Sequence, residues 1–388
     1  MSPRAGGRVT PRLALAAALA LGLVAGCARG EGSGGPEGAG RVRAVHEQGA
    51  PSGATTAAAL RVPRVPSPEA TSPSAPGAAK DQASAPTASA EAEDEVTHAL
   101  GEARLLALSP MPARASAAPP PGVTFRATLA GPSARPPRVV DLSLATDNAP
   151  LNARRPLAFY RLAAALGMHV VPAAVARPVS VGELGELLEG QPSLLATVRR
   201  EARVQNDGRV DALLTAPLPA SLACPWCPVR ASPIALHGSA EATAWERWAS
   251  SSAAMPEERA RLLRDFVEAL VLDYLAAFEA RSEALYLPDE GALALTDNRG
   301  AFPLRPDADL VALLLRRLRS VARFPRELRS ALARLDRVRA AQALAPGGFD
   351  TWLVPPRSLL DLDERRASLL SLIDARIEER GEERVLCL

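Results

Sequence analysis

From Ala28 to Gly122 roughly two-thirds of the residues are Ala, Gly, Pro, Ser or Thr, and this tract limits what the chain can build. Runs such as Ala70-Thr71-Ser72-Pro73 and Ala117-Ala118-Pro119-Pro120-Pro121-Gly122 offer too little apolar surface to offset the entropy of ordering a backbone. The expectation is a disordered tether over 27–122, which leaves 123–388 to make one folded domain. One interlude, Ala90 to Leu108, is helix-compatible and acidic at its start; it reads as a short docking helix or as a transient one.

The segment before the tether has the form of an export signal. Arg4, Arg8 and Arg12 form a positive region, and Leu13 to Val24 a short apolar core that is too short for a comfortable membrane span. The core ends in Val24-Ala25-Gly26-Cys27, which resembles the bacterial lipobox. That resemblance implies a signal peptide over 1–26 and a diacylglycerol on Cys27. Several acyl chains, at roughly 0.8 kcal/mol per buried methylene, hold a protein to a bilayer permanently. The expected location is extracytoplasmic and membrane-anchored, at the outer membrane if the host is Gram-negative.

Charge excludes one class of partner. Lys and Arg number 45 against 43 Asp and Glu, so no net field favours nucleic acid. The Arg pairs at 199–200, 316–317 and 365–366 have acidic neighbours and read as solvated helix faces. Lys80 is the one lysine, and it lies in the tether.

Periodicity returns at Val123. Val123 to Leu129 and Arg138 to Leu144 alternate as strands do, and Gly208 to Leu214 follows an Asn206-Asp207-Gly208 turn. A helix opens at Pro156 and closes at Gly167, and a short β-branched run covers His169 to Val175. Pro256 to Phe278 predicts a long helix with Leu263, Phe266, Val267, Leu270, Val271, Tyr274 and Leu275 on one stripe. A small hairpin over 285–295 follows, then helices near 307–321, 325–343 and 363–380. A β-rich front and a helical back make an α+β, bilobal domain.

Several of these segments resemble the atypical kinases that group HipA, the phosphatidylinositol kinases and the secretory-pathway casein-type kinases. Arg155 to Leu162 with Leu166-Gly167-Met168 is similar to that group's helix pattern, and Val171-Pro172-Ala173 to its Val-Pro-Pro. Leu272-Asp273-Tyr274-Leu275, followed by Thr296-Asp297-Asn298-Arg299-Gly300, resembles its catalytic helix and metal-site hairpin. The stretch Glu379 to Cys387 resembles its C-terminal end. The resemblance implies a β-rich N-lobe, a helical C-lobe and a phosphoryl-transfer ancestry.

The departures concern the residues that phosphoryl transfer needs: a cation on the phosphates, an acid to orient it, an acceptor-side base and metal ligands. No Lys is available, and Arg138 is the nearest base to the expected strand positions. The orienting Glu falls on Pro156. The loop that reads Asn-x-Asp-Arg in the group is Phe278-Glu279-Ala280-Arg281 here, so the catalytic Asp is Ala280 and the metal-ligand Asn is absent. Asp297 and Arg281 survive, with Asn298 beside them; Glu279 and Glu283 are carboxylates out of register. The expected function is therefore binding or scaffolding at the cell envelope by a degenerate kinase-like domain, with an envelope protein as partner. The alternative is a divergent kinase or nucleotidyl transferase using Asp297, Glu279 and Glu283. No catalytic residue and no resident cofactor are expected; Asp297 alone would hold Mg²⁺ or Mn²⁺ weakly, with a nucleotide.

The surviving residues also have plain structural readings. Asp297 to Gly300 makes an ordinary turn, Arg281 caps the end of the long helix, and Asp273 faces solvent or accepts a structural hydrogen bond. Cys224-Pro225-Trp226-Cys227 is a C-x-x-C in a proline-rich loop, read as a local disulfide with Cys387 left as a free thiol. Redox catalysis, or zinc shared with His237 and Cys387, are the alternatives. His46 and His98 fall in the tether, so no histidine cluster is indicated.

Overall fold

The computed structural model describes residues 88–111, 123–131, 137–146, 153–251, 253, 256–278, 281, 284–345 and 352–388. All of them lie in the compact unit Lys80–Leu388. Cys27, Lys80, Glu279, Ala280 and Glu283 lie outside the described residues.

The first lobe is a five-stranded antiparallel sheet in the order β1-β2-β3-β5-β4. Its strands are β1 (Leu105–Pro110), β2 (Thr124–Leu129), β3 (Arg138–Leu144), β4 (Ala174–Ser180) and β5 (Arg209–Thr215). Alternation in β2 and β3 buries Phe125, Ala127 and Leu129 with Val140, Leu142 and Leu144, as period-2 patterning requires. The register sets Phe125 opposite Leu142 and Leu129 opposite Arg138. Arg138 is thus a charged residue in a buried strand position.

Helix α1 (Ala88–Glu102) and strand β1 correct the expected boundary of the folded domain. Val96, Ala99 and Leu100 form an i, i+3, i+4 stripe that enters the core, and Leu105 and Leu108 of β1 join it. Arg177 of β4 donates to the carbonyls of Gly101 and Ala103, which stops the helix against the sheet. The fold therefore takes up residues assigned to the tether from Ala88 onward, His98 among them.

Helix α2 (Arg154–Ala165) carries Pro156 in its first turn, where a missing N–H costs nothing, and Gly167 follows it at φ 69°. The expected strand at His169 begins only at Ala174; Val170 instead accepts a hydrogen bond from Leu295. Helices α3 (Val181–Leu187) and α4 (Pro192–Glu201) fill the β4–β5 connection.

The second lobe holds a small antiparallel sheet of β6 (Ser232–Ile234), β7 (Ala284–Leu287) and β8 (Ala292–Ala294). Helices α5 (Ala240–Ser250), α6 (Glu257–Leu275), α7 (Ala308–Ser320), α8 (Leu328–Arg334), α9 (Arg337–Ala343), α10 (Pro356–Arg380) and α11 (Glu382–Val385) surround it. The expected α6 stripe is buried in full, and Ala269 and Leu272 are buried beside it, so the helix is a core element. The single helix expected over 325–343 breaks at Leu335, where Asp336 caps α9 by accepting from the Arg339 amide at 2.8 Å. Arg317 and Arg365 are not solvated surface charges. Arg317 bonds Glu246 and the Leu236 carbonyl, and buried Arg365 donates to the Leu275 carbonyl at the end of α6. No helix among the described residues is long and apolar enough to cross a membrane.

Candidate functional site

The site lies where α6 ends and the β7–β8 hairpin returns the chain to Asp297. Three non-glycine residues with positive φ border it: Ala277 at 47°, Asp297 at 54° and Phe302 at 52°. Each costs on the order of 1–3 kcal/mol, and such strain gathers at sites that have or had a function. Phe302 donates its amide to the Ala276 carbonyl, which ties the turn after Asp297 to the end of α6.

Arg281 is the centre of the site. Its Nε lies 2.9 Å from both carboxylate oxygens of Asp273, and its Nη2 lies 2.8 Å from Asp273 Oδ1 and 3.1 Å from Asn298 Oδ1. Its Nη1 donates to the Thr296 carbonyl. The guanidinium also lies 3.9 Å from the centre of the Phe278 ring, and Phe159 of α2 meets Phe278 edge-on. Arg281 therefore does not cap α6; it returns one turn along the helix to neutralise a carboxylate buried there. Phe278 is part of the core.

The residues on the Asp297 turn serve the same framework. Asn298 is buried, accepts from Arg281 and donates Nδ2 to the Leu295 carbonyl at 2.8 Å. Asp297 is 41% exposed at its side chain and is bridged by Arg299, with Nε at 2.5 Å and Nη2 at 2.6 Å. The structure brings Asp297, Asn298 and Arg281 together. Among the described residues no group of three or more His, Cys, Asp or Glu could hold a metal ion.

The first lobe contains a second set of charges whose pairing sequence reasoning missed. Arg138 of β3 donates Nη2 to Glu95 of α1 at 3.0 Å, and its guanidinium lies 4.8 Å from the ring of Trp226. Trp226 sits between Cys224 and Cys227, whose sulfurs are bonded. The one base near the expected lysine position is thus paired with a carboxylate and covered by an indole. Cys387 is a free, exposed thiol, and His237 lies against Arg317; burial, and then the Arg317 charge, hold its imidazole below its usual pKa.

Glu93, two residues before Glu95 in α1, accepts from the Tyr160 hydroxyl at 2.7 Å and meets His169 Nδ1 at 3.0 Å. Burial raises the Glu93 carboxyl, but the bonds from His169 and Tyr160 outweigh it and the pKa falls below the ordinary value. The hydrogen bond to Glu93 raises His169 in turn. The available signal was the acidic start of α1 ahead of its apolar stripe. It was masked by the small-residue composition on either side.

Solved structures share this architecture. A structure of hydra Fam20 with sugar matches with a TM-score of 0.50 at 15% identity, over 75% of this chain and 91% of that one. A Golgi casein kinase with Mn/ADP bound matches with a TM-score of 0.49 at 16% identity, over 76% and 78%. No family model matches the sequence, and no curated protein matches it. The chain has an atypical kinase-like fold.

Proposed function

We propose that this protein is a lipid-anchored component of the cell envelope that binds or scaffolds a partner protein and does not transfer phosphoryl groups. One observation carries the reading: the polar residues left at the site are engaged with each other. Arg281 is committed to Asp273, Asn298 and Thr296, and Asp297 to Arg299. A transferring phosphoryl group needs preplaced cations and metal ligands aimed at its oxygens. Ala280 stands where the kinase-like pattern has its acceptor-side Asp, and Pro156 where it has the orienting Glu. Losing one such group typically costs about a hundred- to a thousand-fold in rate, so losing several leaves no measurable turnover.

The anchor follows from the Val24 to Cys27 pattern, and with it an extracytoplasmic location. The test uses the purified full chain with ATP and Mg²⁺ or Mn²⁺. The expected result is no thermal stabilisation and no phosphate incorporation into protein, sugar or lipid acceptors. Divalent-dependent incorporation that disappears in Asp297→Ala would establish the alternative, a transferase centred on Asp297 with Glu279 and Glu283.

A further inference from the structure

A cleft of about 640 Å³ opens between α5, the first turns of α6 and the β7–β8 turn, within the rough 300–1,000 Å³ range of ligand sites. Its wall is aromatic. Trp245 is buried and packs at 5.6 Å against both Phe266 and Tyr286, so the wall is fixed by the core behind it. Trp248 and Tyr286 are half-buried and face the opening.

The rim is acidic. Glu241 opens α5, and Asp289 and Glu290 form the β7–β8 turn. Among the described residues no hydrogen bond or ion pair engages these three carboxylates. The lining contributes one cation, Arg259, whose guanidinium lies 4.6 Å from the Trp248 ring. That stack shows the indole face of this wall taking a planar cation, as the ring quadrupole favours. The three carboxylates have no such counterpart. A saccharide could use the aromatic wall, but it would leave three like charges uncompensated; a guanidinium uses the wall and the rim together.

We propose that this cleft binds an arginine-bearing peptide segment of a protein partner. Its guanidinium groups stack on Tyr286, and on Trp248 in place of Arg259, and bond to Glu241, Asp289 and Glu290. This names a partner chemistry for the binding role and rests on that reading. The probe is a capped tetra-arginine peptide titrated into the full chain by calorimetry, with tetra-glutamate and maltotriose as controls. Saturable tetra-arginine binding is expected, weakening as salt is raised. It should fall at least about tenfold in Trp248→Ala and in the triple variant Glu241→Gln, Asp289→Asn, Glu290→Gln. These side chains are exposed or half-exposed, and circular dichroism checks that both variants keep the fold.

No saturable binding, an affinity unchanged in both variants, or binding of maltotriose in preference to the peptide would overturn the proposal. The two readings fail separately. Absent peptide binding in a chain that also lacks phosphoryl transfer removes the peptide and leaves the binding role. Phosphoryl transfer lost in Asp297→Ala removes the binding role whatever the peptide does.

Discussion

Arg281 Nε sits 2.9 Å from both carboxylate oxygens of Asp273, and both side chains are 2% exposed. An ion pair this far from water is held by geometry and by its further bonds to Asn298 and Thr296, because desolvating two charges costs several kcal/mol each. It joins the long helix to the Asp297 turn.

Breaking that pair should be costly. Asp273→Asn leaves the Arg281 charge buried without its carboxylate, and the expected loss is about 3–5 kcal/mol in urea denaturation. The double change Asp273→Leu with Arg281→Met should lose less than the sum of the single changes. Equal stability of wild type and Asp273→Asn would contradict a buried pair.

Asp265 gives a pH signature. Burial pushes its carboxyl up to about 7, while the Leu293 amide donates to Oδ2 at 2.9 Å. The folded pKa lies above the ordinary value, so folding favours the protonated form. This contribution is full below about pH 4 and lost as pH rises through about 7, a change on the order of 4 kcal/mol. Asp265→Asn keeps an oxygen for Leu293. It should raise the melting temperature near pH 8 and leave it unchanged near pH 4. Melting curves across that range decide it, and a variant as pH-sensitive as the wild type would count against this origin.

The domain boundary can be tested by truncation. A chain starting at Val123 loses α1 and β1, which leaves Arg138 without Glu95 and His169 without Glu93. It also exposes the core surface that Val96, Leu100, Leu105 and Leu108 cover. That fragment should aggregate or fail to unfold cooperatively, whereas the full chain unfolds in a cooperative transition. A soluble, cooperative 123–388 fragment would show that α1 is dispensable.

The proposed anchor rests on Cys27. Cys27→Ser should block lipid-dependent processing and move the protein from the detergent phase to the aqueous phase on partitioning. A wild-type protein found in the aqueous phase, with a mature N-terminus other than Cys27, would rule the anchor out.

By itself the sequence determined what depends on local pattern. The alternation of β2 and β3, the apolar stripe of α6, the turn at Gly208 and the stop at Gly167 are written in short-range spacing, and the structure holds them there. It was the resemblance to the atypical kinases that put Asp297, Asn298 and Arg281 in one site, and the structure brings them together. Composition misled over Ala88–Pro110, because small residues around the apolar stripe of α1 look like tether until a sheet is present to receive that stripe.

Only the tertiary structure decided which charges are structural. Asp273 and Arg281 are eight residues apart, and nothing local says that each is the other's partner. Arg138 and Glu95 lie in different elements, and Trp226 reaches Arg138 from the disulfide loop. A buried charge must find its complement wherever the fold brings one, so its role depends on long-range packing.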